Sequence, residues 1–251
     1  MRKGLVYAIA VFLLVACGSN RKANDEVAPL EPAPDPVTYV DRVEMDSLVV
    51  YRPHFDRIDL VTEVMPSKTD TSVILCFEAA FTGQLLDEFK HSNIAGHHVS
   101  GGVFYNGYNC GPNTGLFTWD KETGWEFHKT RHQGSAAILK SVAQKGGMGF
   151  GQCLLYYNGE RGSAPFKSSS VNSYRALSEL NGELCLIDCA RPLPFGSFMD
   201  ALKKAGVTNA IYCDMGTGWN YSWYRGSDKS VTEMFTVPGK YTTNWVAFYA
   251  D

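Results

Sequence analysis

The stretch Leu184-Cys185-Leu186-Ile187-Asp188-Cys189 is an almost unbroken apolar run, and Ser197-Phe198-Met199-Asp200-Ala201-Leu202-Lys203-Lys204-Ala205-Gly206 follows closely behind it. The first run is too short for a helix and suits a strand covered on both faces. In the second, Phe198, Met199, Leu202 and Ala205 repeat at helical spacing. Ser197 is the expected N-cap, with Asp200 three residues on, and Gly206 is the expected stop. A further strand-like run covers residues 209–214. Strand, helix and strand in this order predict a βαβ unit, with neighbouring parallel strands and a right-handed crossover. Ligands in such units gather beyond the carboxyl ends of the strands. Asp188, Arg191 and Asp214 would stand at that edge.

Outward from this unit, β-branched and aromatic runs bounded by Gly, Pro or Asn predict strands at 47–51, 72–77, 99–105, 116–120, 152–158 and 244–249. A short stripe of Leu85, Leu86 and Phe89 after Thr82 predicts another helix. No repeat of fixed period is evident. The expected fold class is α+β: a single domain with a mixed β-sheet, few helices and one βαβ unit.

The start of the chain reads differently. Arg2 and Lys3 precede an apolar run over residues 5–16, short of the ~20 apolar residues that span a bilayer. Positive start, apolar middle and small-residue end match a secretory signal peptide over 1–16. The run closes on Leu14-Val15-Ala16-Cys17, which resembles the bacterial lipobox. That resemblance implies acylation of Cys17 and a lipid anchor as the route to a membrane partner. An ordinary signal peptide with an incidental cysteine is the alternative. Residues 17–36 are polar and then punctuated by Pro29, Pro32, Pro34 and Pro36, which predicts an extended tether. The reading is signal peptide 1–16, lipidated tether 17–36 and one domain over 37–251. The protein is expected to be exported and lipid-anchored to the bacterial cell envelope, on its periplasmic or outer surface.

The roughly two hundred residues after the tether suit one domain with a sizeable core. A net charge of −3 leaves no electrostatic footprint for nucleic acid. Cys17 is one of 7 cysteines, and the even number left in an exported chain suggests disulfides. Yet Cys76, Cys153, Cys185 and Cys213 lie in apolar strand-like runs, where a free cysteine behaves as a small buried hydrophobe. That context favours thiols. Cys185 and Cys189 have no second pair to complete a zinc set, so no metal site is predicted. The residues name no cofactor.

The strongest local signal is Cys213-Asp214-Met215-Gly216-Thr217-Gly218-Trp219. A carboxylate closes a strand, and Gly216 and Gly218 let the chain turn tightly and a ligand approach the backbone. Asp214 suits an acid, a base or a hydroxyl anchor; capping the turn is the plainer role. Trp219, Tyr221 and Trp223 would share one side of an extended segment. They suit a sugar platform or, as aromatics more often do, a core. His97 and His98 are adjacent, so in an extended chain they point opposite ways and chelate poorly.

From about residue 99 to 223 the chain resembles the phosphodiester glycosidase family, which includes the uncovering enzyme of the mannose-6-phosphate pathway. The residues that carry this are Ser100-Gly101-Gly102-Val103-Phe104 followed by Pro112 and Gly115, then Tyr174-Arg175-Ala176-Leu177, then Asp214-Met215-Gly216-Thr217-Gly218. Ser100 stands where the family has Asn, and Met215 and Thr217 replace two family glycines. The run from Asp214 to Tyr221 looks like a divergent Bacteroides-type lipoprotein subgroup. The resemblance implies cleavage of a sugar from a phosphodiester through an oxocarbenium-like state that carboxylates stabilise. It implies Asp214 and Glu78 as those carboxylates and Arg175 as the phosphate clamp. Ser100, Gly101 and Gly102, with Gly216, Gly218, Trp219 and Tyr221, would bind the ligand, a carbohydrate or glycosyl phosphodiester. Read as structure alone, Arg175 would be half of an internal ion pair and Glu78 a strand end in solvent. The family order also predicts that Asp214, Arg175 and the Gly101-Gly102 pair meet in one cleft.

Two functions remain open on this reading: an envelope hydrolase of glycosyl phosphodiesters or related glycan linkages, and a non-catalytic glycan- or partner-binding lipoprotein that kept the fold. Both share the anchor, which has its own test. Replacing Cys17 by Ser should move the protein from the detergent phase to the aqueous phase on Triton X-114 partitioning. Unchanged partitioning would remove the lipoprotein assignment.

Overall fold

A computed structural model describes residues 39–82, 94–215, 221–235 and 244–250. The signal segment, Cys17, the tether and the helix expected around Leu85 lie outside them.

Two Asn-Gly pairs organise the largest sheet. Asn181-Gly182, with φ of 57° and 80°, joins Arg175–Leu180 (β13) to Glu183–Cys189 (β14). Asn158-Gly159, with φ of 52° and 77°, joins Leu154–Tyr157 (β10) to Glu160–Arg161 (β11). Positive φ at both central positions is what a tight two-residue hairpin needs, and Asn-Gly is its commonest source. Around these hairpins Val40–Met45 (β1), Leu48–Pro53 (β2) and Val207–Cys213 (β16) complete seven strands in the order β1-β2-β14-β13-β16-β10-β11.

A second sheet orders Val231–Phe235 (β18), Ser222–Arg225 (β17), Val73–Glu78 (β4), Asn244–Tyr249 (β19) and Arg57–Thr62 (β3). A third orders Val103–Tyr105 (β6), His98–Ser100 (β5), Met148–Gln152 (β9), Gly115–Asp120 (β7) and Gly124–His128 (β8). Val171–Asn172 (β12) and Leu193–Pro194 (β15) form a small ribbon. The three larger sheets share one core: Leu177, Leu186 and Ile211 from the first meet Leu75, Phe77 and Phe248 from the second and Phe117 and Phe150 from the third.

The two described helices cover outer faces. Phe195–Ala205 (α2) sets Phe198, Met199 and Leu202 against Ala176, Ile187 and Ala210 of the first sheet. It ends, as the sequence predicts, at Gly206 in the left-handed region, φ 92°. It begins two residues before Ser197, with Pro194 as N-cap and no side-chain cap. His132–Gln144 (α1) packs Leu139 against Val99 and Leu116 of the third sheet. Sequence reading missed α1 because its buried stripe is only Ser135, Leu139 and Val142, too thin to give a strong period.

The expected α+β class with a mixed sheet and a βαβ unit is corrected by these pairings. The fold is β-rich, and every strand pairing among the described residues is antiparallel. β14 and β16 are joined through α2, but they are not neighbours. β13 stands between them, antiparallel to both. The hairpin is the reason: the Asn181-Gly182 turn folds β13 onto one edge of β14, so the returning crossover finds only the far edge of β13. The expected strand over 99–105 also divides, at Gly101 and Gly102 with φ of 55° and 73°.

At Gly182 and Gly206 an added Cβ would meet nothing within 4 Å, so only backbone strain opposes a side chain there. Gly182→Ala and Gly206→Ala should each cost about 1–2 kcal/mol in urea unfolding. A loss below a few tenths of a kcal/mol at Gly182 would mean that the hairpin tolerates another turn type.

Candidate functional site

Arg175 and Asp188 each lie six residues from the Asn181-Gly182 turn, so the hairpin register sets them directly opposite one another. Arg175 Nε donates to Asp188 Oδ1 at 2.6 Å and Nη2 donates to Oδ2 at 2.8 Å, a two-pronged ion pair. The guanidinium is fully buried and lies 5.9 Å from the centre of the Phe77 ring. Burial works against its charge, but Asp188 and then Glu78 outweigh burial and hold Arg175 protonated, its pKa raised above the ordinary value.

Glu78 ends β4 and brings Oε2 to 3.7 Å from Arg175 Nη1. Its residue is 2% exposed, and neither carboxyl oxygen has a hydrogen-bond partner among the described residues. Burial pushes the Glu78 carboxyl up to about 8; Arg175 pulls against this, while Asp214 and Asp188 add to the rise. Burial thus favours the neutral form of Glu78 over its carboxylate.

Asp214 follows the last residue of β16 and is buried at 4% exposure. Its N–H donates to the carbonyl of Ala79 at 3.0 Å, which fastens it beside the end of β4. Two residues that sequence reading did not single out fix this corner. Asn244 Oδ1 accepts from the Ala80 N–H at 2.8 Å and its Nδ2 donates to the Ala80 carbonyl at 3.1 Å. The Tyr212 hydroxyl accepts from the Met215 N–H at 3.2 Å. Asn244 opens a strand far along the chain, so no local pattern marks it. Asp188 as the partner of Arg175 was readable from the hairpin turn.

The structure thus brings Arg175, Glu78 and Asp214 together, with Asp188 as an added member. The other expected site residues have contacts of their own. Ser100 Oγ donates to the Leu60 carbonyl at 2.5 Å, the Gly101 N–H donates to Asp59 Oδ1 at 3.3 Å, and Gly102 lies against Gly146. These contacts belong to the third sheet and to β3. The Tyr221 hydroxyl donates to the Pro66 carbonyl at 3.3 Å, and its ring packs in a cluster with buried Trp223 and Trp245. Gly216, Gly218 and Trp219 lie outside the described residues. Both His97 and His98 are buried; His97 stacks on His132 and His98 on Tyr105. Three cavities among the described residues are lined by none of Glu78, Arg175 and Asp214. Cys76, Cys110, Cys153, Cys185, Cys189 and Cys213 are free thiols.

Chemically, the Arg175–Asp188 pair is close to neutral. Glu78 is left as a proton donor and Asp214 as a second carboxyl beside it. Two carboxyl groups in different environments are what acid-assisted bond cleavage uses. The fold is similar to that of a phosphodiester glycosidase. The zebrafish N-acetylglucosamine-1-phosphodiester alpha-N-acetylglucosaminidase catalytic domain, auto-inhibited by its pro-peptide, matches with a TM-score of 0.55 and 12% identity. The match covers 86% of this chain and 83% of that chain. No family profile and no curated protein sequence matches the chain. At that identity the likeness concerns the fold, a distant phosphodiester glycosidase-like one.

Glu78 has a pH signature. Its folded pKa, about 8, lies above the ordinary 4.5, so the folded state holds a proton that the unfolded state releases. The stability this confers is complete below about 4.5 and is lost as pH rises through about 8. Melting temperature should fall across that window, and Glu78→Gln should flatten the slope. An identical slope in the variant would show that Glu78 is ionised in the folded protein.

Proposed function

We propose that this chain is an exported lipoprotein, anchored to the bacterial cell envelope through Cys17, whose domain hydrolyses a glycosyl-1-phosphodiester or a related glycan linkage. The observation that carries the reading is the buried Glu78 carboxyl, its pKa pushed up by burial, beside Arg175 and close to Asp214. Supporting it are the order of the family-like motifs along the chain and the likeness of fold.

In this reading Glu78 protonates the oxygen that leaves the anomeric carbon. Asp214 faces the positive charge that develops on the sugar, and water adds its hydroxyl to the anomeric carbon while its other proton returns to Glu78. Arg175 is a positioning residue. Its fork is engaged by Asp188, so it acts by holding charge beneath the two carboxyl groups and not by gripping a free phosphate. Ser100, Gly101 and Gly102, with Tyr221, remain the ligand contacts that the family-like motifs nominate.

A second reading has its own support. Glu78, Arg175 and Asp214 are 2%, 0% and 4% exposed, which also suits a structural cluster inside a glycan-binding lipoprotein that kept the fold. One mutant separates the two. The mature protein should release sugar from a panel of sugar-1-phosphodiesters, and Asp214→Asn should lower that turnover by about 10²–10⁴-fold with little change in melting. No product, together with a loss of about 3–5 kcal/mol of stability in Asp214→Asn, would mark the cluster as structural and favour the binder.

A further inference from the structure

A cavity of about 520 Å³, lined by none of the carboxyl-cluster residues, opens where the β8–α1 connection meets the start of β7 and the end of β11. Small-molecule sites occupy about 300–1,000 Å³, so its size suits a ligand and exceeds a water site. Lys129, Arg131 and Arg161 line it, together with the hydroxyl residues Thr114, Thr130 and Ser163. No described carboxylate does. In a chain of net charge −3, three cations around one cavity without an acid are a local reversal of sign.

The charge on these walls is largely uncompensated. The ion pairs among the described residues include neither Lys129 nor Arg131. Arg161 Nη1 donates to Asp200 at 3.0 Å, an exposed contact to one carboxylate oxygen that leaves the rest of the guanidinium fork available. The walls are also held in place. Thr114 Oγ1 accepts from the Leu154 N–H at 2.9 Å, and the Gly162 N–H donates to the Leu155 carbonyl at 2.7 Å. Beside Arg131, α1 begins with no acidic residue in its first turn and no side-chain cap, so its partial positive end adds to the same field.

We propose that this cavity binds the phosphate group of a small soluble phosphomonoester. Lys129 and Arg131 neutralise the dianion, Arg161 offers paired N–H donors, and the hydroxyls of Thr130 and Ser163 meet the polar body of the ligand. The site shares no residue with the Glu78, Arg175 and Asp214 cluster, so it stands or falls independently of the proposed hydrolysis.

The test is calorimetric titration of the mature chain carrying Cys17→Ser, with inorganic phosphate, glycerol 3-phosphate and glycerol as probes. Saturable binding of the two phosphates and none of glycerol is expected, weakening as salt is raised. The double variant Lys129→Gln/Arg131→Gln should lose affinity by about tenfold or more at unchanged melting temperature. A vesicle arm containing phosphatidic acid distinguishes a lipid headgroup from a soluble ligand. Three results would overturn the proposal: no saturable phosphate binding, equal affinity in the double variant, or capture on vesicles that glycerol 3-phosphate does not displace.

Discussion

The ion pair between Arg175 and Asp188 is the interaction around which the rest of this structure is arranged. A guanidinium with no exposed surface is tolerable only if its charge is met at close range by well-aligned acceptors. Here β13 and β14 supply that alignment, because a two-residue turn fixes which residue faces which. β16 closes the other side of Arg175, with Cys213 opposite it in register. Three antiparallel strands thus enclose one charge, and losing Asp188 from β14 would leave it in the core without its two-pronged partner.

The chemistry of the corner follows from that arrangement. A second carboxyl arriving from β4 meets a large desolvation penalty in this buried corner, and Asp188 already balances much of Arg175's charge. Glu78 keeps its proton for that reason, although Arg175 is only 3.7 Å away. Asp214 is tied to the same place through the backbone of Ala79, and Asn244 ties down Ala80. A proton-holding acid, a second carboxyl and a positioned cation therefore occupy one corner. The cationic cavity around Arg131 shares none of its residues and has the opposite electrostatic character. One domain carries an acidic corner buried in its core and a basic recess at its surface.

Much of the local structure was legible. Apolar runs such as 184–189 and 72–77 became strands within a residue or two, and Gly206 ended α2 as its lack of a side chain suggests. Other features misled. The βαβ expectation put the strands at 184–189 and 209–214 side by side, yet the strand that holds Arg175 lies between them, at the centre of the largest sheet. Asn181-Gly182 was the available clue that a hairpin, and not a lone crossover, surrounds residues 184–189. The split of 99–105 at Gly101-Gly102 was equally local, since both residues have positive φ.

The composition and order of residues settled what depends on neighbours in the chain: strand and helix lengths, the tight Asn-Gly turns, and the family-like order of Gly101, Arg175 and Asp214. Position in space settled what depends on distant partners. Glu78 and Asp214 lie far apart in sequence and meet only because separate sheets share a core. Asp188 rather than a ligand fills the fork of Arg175, and the Gly101-Gly102 turn bonds to Asp59 on β3. Protonation belongs to the same class. The side chain of Glu78 is an ordinary carboxyl in the sequence, and burial against an already balanced cation makes it an acid that keeps its proton at neutral pH.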